Sequence, residues 1–315
     1  MKLRNKFLTA ALAAVLLVLL AAAPGFAVEE DLVILHTNDI HGRIETDLEA
    51  DEPIMGIPII STIIQDYRSE TDNVLVMDGG DTIHGRTITN QLEGRSTVDV
   101  MNAAGYDVMV PGNHDFNFGY ERLLELEEYM EFDLVAANVS KDGELLFDPY
   151  AVYEVGEFTV GVFGLATPDT YVTTHPDNIE GIEFTDMVAA AEEYVPILQD
   201  DYQVDLVVAL GHVGFAGDHP STEVAENVDG IDLFVDGHSH SRLAEGEWHH
   251  DTLFVQAYEY TKDLGVVKAD LTAPEPELEA WLISGTDAAD IEPDPAIEDL
   301  LEEAADEVVR QRLGD

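Results

Sequence analysis

The sequence predicts a mixed α/β fold built of stacked layers, and three observations predict it. Short apolar runs alternate with amphipathic stretches of helical period through most of the chain. Of 315 residues, 46% are hydrophobic, which is enough for a packed core despite a net charge of −51. The last apolar runs, residues 247–250, 252–257 and 264–271, follow one another without an intervening helix, so a purely doubly wound parallel sheet is excluded.

The elements follow in order. Residues 32–36 read as a strand and 57–68 as a helix with apolar positions every third or fourth residue. The same pairing recurs in 74–77 with 97–104, in 107–110 with 120–130, and in 159–164 with 187–198. Residues 205–210 and 231–235 read as two more strands. The main domain then covers residues 28–272. Residues 273–295 are rich in Pro, Asp and Glu and read as an acidic linker within the tail 273–315. That tail ends in an amphipathic helix, 296–313, whose Ile297, Leu300, Leu301, Ala304, Val308 and Leu313 form a stripe that needs a cover.

Residues 1–27 stand apart. Lys2, Arg4 and Lys6 precede an apolar run from Leu8 to Ala23, and Gly25 and Ala27 supply small residues at a cleavage point. This is the order of a secretory signal peptide, and the run of about 16 residues is short for a retained span. The expectation is an exported protein, periplasmic or extracellular, with no stable membrane insertion after cleavage. Cysteine is absent, which removes disulfides, thiolate catalysis and cysteine-ligated zinc. With 65 acidic and 14 basic residues, no basic groove for polymeric nucleic acid can form, and a small-molecule partner is expected. Only five of the basic residues are lysines. Self-repulsion on this scale points to adaptation to high salt, where the Debye length falls to about 3 Å at 1 M.

Chemistry concentrates where the strands end. The first strand runs into Asn38-Asp39-Ile40-His41, the second into Gly79-Gly80-Asp81, and the third into Gly112-Asn113-His114-Asp115. Two later strands end at Gly211-His212 and at Asp236-Gly237-His238-Ser239-His240. Carboxyl ends of strands gather at one edge of an open α/β sheet, and the glycines let the chain turn there. Oxygen and imidazole donors without thiolate suit zinc, manganese, iron, cobalt or another borderline divalent ion. The donors are too many for one tetrahedral ion, whereas a shared carboxylate can bridge two ions about 3.5–4 Å apart.

The series LHTNDIHG, GGD, GNHDFNFG, GHVG and GHSH resembles the calcineurin-like metallophosphoesterases, and more narrowly their 5′-nucleotidase and 2′,3′-cyclic-nucleotide phosphodiesterase branch. The resemblance covers roughly residues 32–270. It implies a four-layer sandwich of two facing mixed β-sheets flanked by helices, and a dinuclear centre. Asp39, His41 and His240 would hold one metal, Asn113, His212 and His238 the other, and Asp81 would bridge them. His114 would be the catalytic histidine over the leaving-group oxygen. The implied activity is hydrolysis of nucleotides by metal-activated hydroxide. The alternatives are a cyclic phosphodiesterase on the same site and a non-catalytic, metal-containing periplasmic binding protein.

Two departures from the family pattern stand out. Nucleotidases of the family carry Asp three residues after the histidine, whereas this chain has Asn117, which can orient an imidazole but brings no charge. Asn here raises the cyclic-phosphodiesterase alternative. Many relatives also carry a C-terminal domain that stacks the nucleobase, and the resemblance here stops near residue 270. Elsewhere, Gln256 reads equally as support for the site or as strand packing. His84, Arg86 and Arg43 read as loop residues, His36 as core or support, and His175, His219, His249 and His250 as surface.

Overall fold

In a computed structural model, the described residues are 31–217, 219–273 and 276–314; the expected signal peptide, residues 1–27, lies outside them. Among them, fifteen strands follow in chain order: β1 Leu32–Thr37, β2 Val74–Asp78, β3 Val108–Met109, β4 Asp133–Leu134, β5 Val139–Lys141, β6 Glu144–Leu145, β7 Tyr150–Val155, β8 Phe158–Ala166, β9 Ile182–Phe184, β10 Leu206–His212, β11 Leu233–Val235, β12 Glu247–His249, β13 Thr252–Val255, β14 Asp263–Asp270 and β15 Glu277–Ser284. The α-helices are α1 Gly56–Glu70, α2 Thr87–Gln91, α3 Arg95–Ala104, α4 Tyr120–Glu127, α5 Thr170–Thr173, α6 Met187–Pro196, α7 Thr222–Asn227 and α8 Pro295–Leu313.

Two six-stranded sheets dominate, in the orders β15-β14-β1-β2-β3-β4 and β12-β13-β11-β10-β8-β7. Both are mixed. β1 to β4 pair in parallel and β14 runs antiparallel to β1, while β8, β10, β11 and β13 are parallel with antiparallel β7 and β12 at the edges. β15 pairs antiparallel with β14 at the edge of the first sheet. The sheets face each other because their strands are apolar on both sides. Leu32 and Ile34 of β1 meet Val208, Leu210 and Val235 in the space between sheets, and Val33 and Leu35 point to the outer helices. Val207, Ala209 and Phe234 pack outward against α6 and α7. This gives the expected four layers, helix, sheet, sheet, helix.

The acidic tail departs from the expectation. Residues 273–295 are not simply a linker, because they contain β15, which pairs with β14 from Asp263↔Ser284 to Asp270↔Glu277. Composition hid this strand. Leu278 and Ala280 pack on the inter-sheet core and Trp281 and Ile283 on the other side, while Glu277 and Glu279 stay exposed on the sheet edge, where charge discourages pairing with another chain. The stripe of α8 finds its cover on the main domain: Ile297, Leu301 and Val308 are buried, beside α1 and α3. Leu313, counted in that stripe, is instead exposed. Asp294 caps α8 through the Ala296 amide and also accepts from Ser61 and Gln65 of α1.

Candidate metal centre

The five strands with histidine- and aspartate-bearing ends belong to both sheets, β1, β2 and β3 to one and β10 and β11 to the other. Their carboxyl ends meet at one rim, and two clusters form there. Asp39, His41 and His240 place one donor atom each within 4.8 Å of one another, and Asp81, His212 and His238 do the same. His240 Nε2 lies 3.1 Å from Asp39 Oδ1 and 3.3 Å from His41 Nε2. Asp81 Oδ2 is shared: it stands 3.2 Å from His212 Nε2 and 3.7 Å from His41 Nε2. Its other oxygen, Oδ1, accepts the His114 amide at 2.6 Å. Asn113 Oδ1 is buried with no hydrogen-bond partner, and a cation would satisfy it. This donor set of imidazole, carboxylate and amide oxygen fits a pair of borderline divalent ions.

Backbone strain is concentrated here. Asp39, His41, Asp81, His238 and His240 all have left-handed backbone, with φ of 50, 48, 58, 71 and 49 degrees. Sequence reasoning assigns the sharp turns to neighbouring glycines, but many fall on the candidate ligands themselves, at a cost of about 1–3 kcal/mol each. Two glycines are still required by close approach. A Cβ on Gly80, at φ 83, would sit 2.7 Å from the Gly112 amide nitrogen, and one on Gly112 would strike the Asp81 carboxylate.

The calcineurin-like phosphoesterase profile matches residues 32–242 of this chain. The chain belongs to the calcineurin-like phosphoesterase family. It is 34% identical over 230 residues to the 5′-nucleotidase of Homo sapiens, covering 69% of this chain and 39% of that protein. It is 30% identical over 275 residues to the trifunctional nucleotide phosphoesterase YfkN of Bacillus subtilis, covering 75% and 18%. The chain thus spans less than half the length of these curated relatives. Among solved structures, a 5′-nucleotidase precursor from Thermus thermophilus superposes with a TM-score of 0.74 at 28% identity, covering 89% of this chain and 59% of that one. The sulfate thiohydrolase SoxB of Thermus thermophilus shares the fold, with a TM-score of 0.79 at 22% identity and coverage of 87% and 60%.

In this member of the family the candidate donors are held by further residues that the sequence reading largely missed. His212 Nδ1 meets the Gly79 carbonyl at 2.6 Å, and His240 Nδ1 meets Glu259 at 2.6 Å. Asn38 donates to Asp39 Oδ2 at 2.7 Å. Asp115 accepts the amides of Asp81, Thr82, Ile83 and Gly112, which clamps the loop after β2 to the loop after β3. Asp236 does the same for Val213, Gly214 and Gly237. Gln256 donates to the Gly237 carbonyl and accepts from Ser239 and Ser241, so it supports the rim. Asp169, 3.6 Å from His238, carries no motif that sequence reasoning could have found. Glu259 and Asp236 did lie beside recognised segments, which was the available signal.

The electrostatics require positive charge. Burial opposes ionisation of Asp81, but His212 and His41 overcome it and hold the carboxyl below its usual range. Burial likewise works against the His212 imidazolium, yet Asp81 and Asp39 hold its pKa up. A divalent ion held by these donors would compete with a proton on His212.

His114 and Asn117 are adjacent as expected: Asn117 Nδ2 is 2.7 Å from His114 Nδ1. The same amide nitrogen is 3.2 Å from Nδ1 of His84, and the two imidazoles stack at 6.0 Å with a 7° tilt. His84 therefore belongs to the rim and is not a plain loop residue. Arg43 stacks on Tyr260 at 3.4 Å, close to His41, whereas Arg86 is exposed. His36 is buried in β1 against Gly265, and burial lowers its pKa to about 3, so it is a neutral core residue. His175 and His219 are exposed.

Proposed function

We propose that this chain is an exported phosphoesterase that hydrolyses nucleotides at a centre for two divalent ions. The observation that carries the reading is Asp81, whose Oδ2 faces His41 of one donor cluster and His212 of the other. Asp39, His41 and His240 would hold one ion, Asn113, His212 and His238 the other, with Asp81 between. Two such ions would polarise phosphoryl oxygens and lower the pKa of water at neutral pH. The protein's own part is placement. His114 is oriented at Nδ1 by the Asn117 amide; as an imidazolium, with that amide turned so that its oxygen accepts Nδ1–H, it would give the Nε2 proton to the departing ribose oxygen and be left as neutral imidazole. Asp115 and Asp236 tie down the loops that carry Asp81, His212 and His238. Export is supported by the signal-like order of residues 1–27. No helix among the described residues is long and apolar enough to cross a membrane.

A second reading, hydrolysis of 2′,3′-cyclic nucleotides, is favoured by one observation: the partner of His114 is the uncharged Asn117, shared with His84. A panel of nucleoside monophosphates, cyclic nucleotides and bis(p-nitrophenyl) phosphate, assayed with manganese, separates the two. Faster release from monophosphates supports the first reading, and faster opening of the cyclic esters supports the second. Inactivity on all of them, with metal bound, would leave only a metal-containing binding protein.

The charge of −51 supports a halophilic protein. The melting temperature of the metal-loaded protein should rise steeply between about 0.1 and 1 M NaCl, as the Debye length shrinks from about 10 to 3 Å. A flat or falling profile would overturn that assignment.

A further inference from the structure

We propose that Glu226, His249 and His250 form a separate divalent-metal site at the β12–β13 turn, at the opposite end of the strands from the rim, one that takes imidazole-seeking ions such as zinc, nickel or copper. The three residues place one donor atom each within 4.8 Å of one another, as the two clusters at the rim do. In the sequence both histidines read as surface residues, since no strand-end motif surrounds them.

The fold brings them together from two elements. β12 and β13 pair antiparallel, with His249 opposite Thr252, so His250 and Asp251 make a two-residue turn. His250 takes a left-handed backbone, φ 52, a conformation that suits Gly or Asn better in such a turn. α7 packs on β12 and contributes Glu226, whose Oε1 is 3.0 Å from His249 Nε2. The two imidazoles stand 5.1 Å apart, nearly perpendicular at 79°. Glu226 and His250 are exposed and His249 is half-buried, so an ion can enter from solvent and keep water at its open positions. A shallow cavity of about 420 Å³ beside His250 is also lined by Asp232, Trp248 and Asp251, which adds negative charge and room for those waters.

Chemistry and position both set this site apart. Zinc binds imidazole nitrogen at about 2.0–2.1 Å, so tetrahedral donors lie roughly 3.3 Å apart, and small side-chain rotations would close the present spacing. Two imidazoles with one carboxylate favour zinc, nickel and copper over magnesium, calcium or sodium, so abundant salt would not fill it. β13 runs parallel to β11, whose carboxyl end leads to His238 and His240, whereas His249 and His250 precede β13. The four residues of β13 put about 13 Å between the two ends, so the sites share no donor. An ion there would clip α7 to the β12–β13 hairpin.

The test uses the manganese-loaded protein titrated with zinc, beside His249→Gln, His250→Gln and Glu226→Gln variants. Wild type should bind one more equivalent of zinc than either histidine variant, and Glu226→Gln should weaken that equivalent by about 10- to 100-fold or more. Phosphate-ester hydrolysis by the manganese-loaded variants should be unchanged. Copper or nickel should quench Trp248 fluorescence in wild type but not in His250→Gln, and Trp248→Phe should remove the signal. Zinc should raise the melting temperature of wild type and not of His250→Gln. Equal zinc stoichiometry in wild type and in a His249→Gln/His250→Gln double variant would overturn the proposal, whatever the catalytic centre binds.

Discussion

Asp81→Ala should lower kcat/KM for a nucleotide by about 10²- to 10³-fold, the scale expected when a preorganised charge-stabilising group is lost. The purified variant should also lose metal from both donor clusters. The reason is positional: Oδ2 faces His41 on one side and His212 on the other, so one deletion opens both sites. His41→Ala should mainly weaken one. Metal content by mass spectrometry, read beside activity and circular dichroism, separates these outcomes. An Asp81→Ala protein that keeps two ions per chain and near-normal turnover would refute the bridging assignment. The same geometry fixes the sign of a pH effect on the wild type. Because Asp81 and Asp39 favour a proton on buried His212, a metal taken up at the proposed centre would compete with it. Metal affinity should therefore rise as pH rises, by up to about tenfold per pH unit for one released proton. Affinity that stays level from pH 6 to 8 would show that His212 is not displaced from its proton by metal.

His114→Ala should retain both metals and lose about 10²- to 10⁴-fold in kcat on a nucleoside monophosphate, the usual span of a general acid. The loss should be small on p-nitrophenyl phosphate, whose leaving group needs no proton. Equal impairment on both substrates would assign His114 to binding the phosphoryl group instead. Asn117→Ala tests whether orientation matters, because its amide holds His114 Nδ1 at 2.7 Å. It should reproduce part of the His114→Ala loss on the nucleotide and leave metal content intact. A parallel loss in His84→Ala, confined to kcat, would show that the shared amide positions both rings; a change in KM alone would place His84 against substrate.

Much of this centre was legible before any coordinates. Gly next to Asp, Asn or His at the ends of five apolar strands is a local pattern, since each strand end is contiguous in the chain and the carboxyl edge of an α/β sheet is where such ends collect. The candidate ligands Asp39, His41, Asp81, His212, His238 and His240 come together as that pattern requires. The supporting residues were harder to read. Asp169 reaches His238 only because the chain folds back, and nothing in its local sequence announces it, whereas Glu259, which reaches His240, had only its place beside the segment of Gln256 as a signal.

The sequence alone determined the layered α/β class, the donor chemistry and the acidic surface, because periodicity, residue type and charge are properties of short segments or of composition. Only the tertiary structure decided how two sheets divide one site, with three strands from one and two from the other. It also decided that a stretch read as an acidic linker holds a paired edge strand, since a hydrogen-bonded neighbour, β14, outweighs what Pro and Glu suggest locally. The same holds for the pair His249 and His250. Their sequence shows two polar turn residues, and it is the packing of α7 on β12 that sets Glu226 beside them. Long-range proximity is paid for by the whole core, so no local window of the chain contains it.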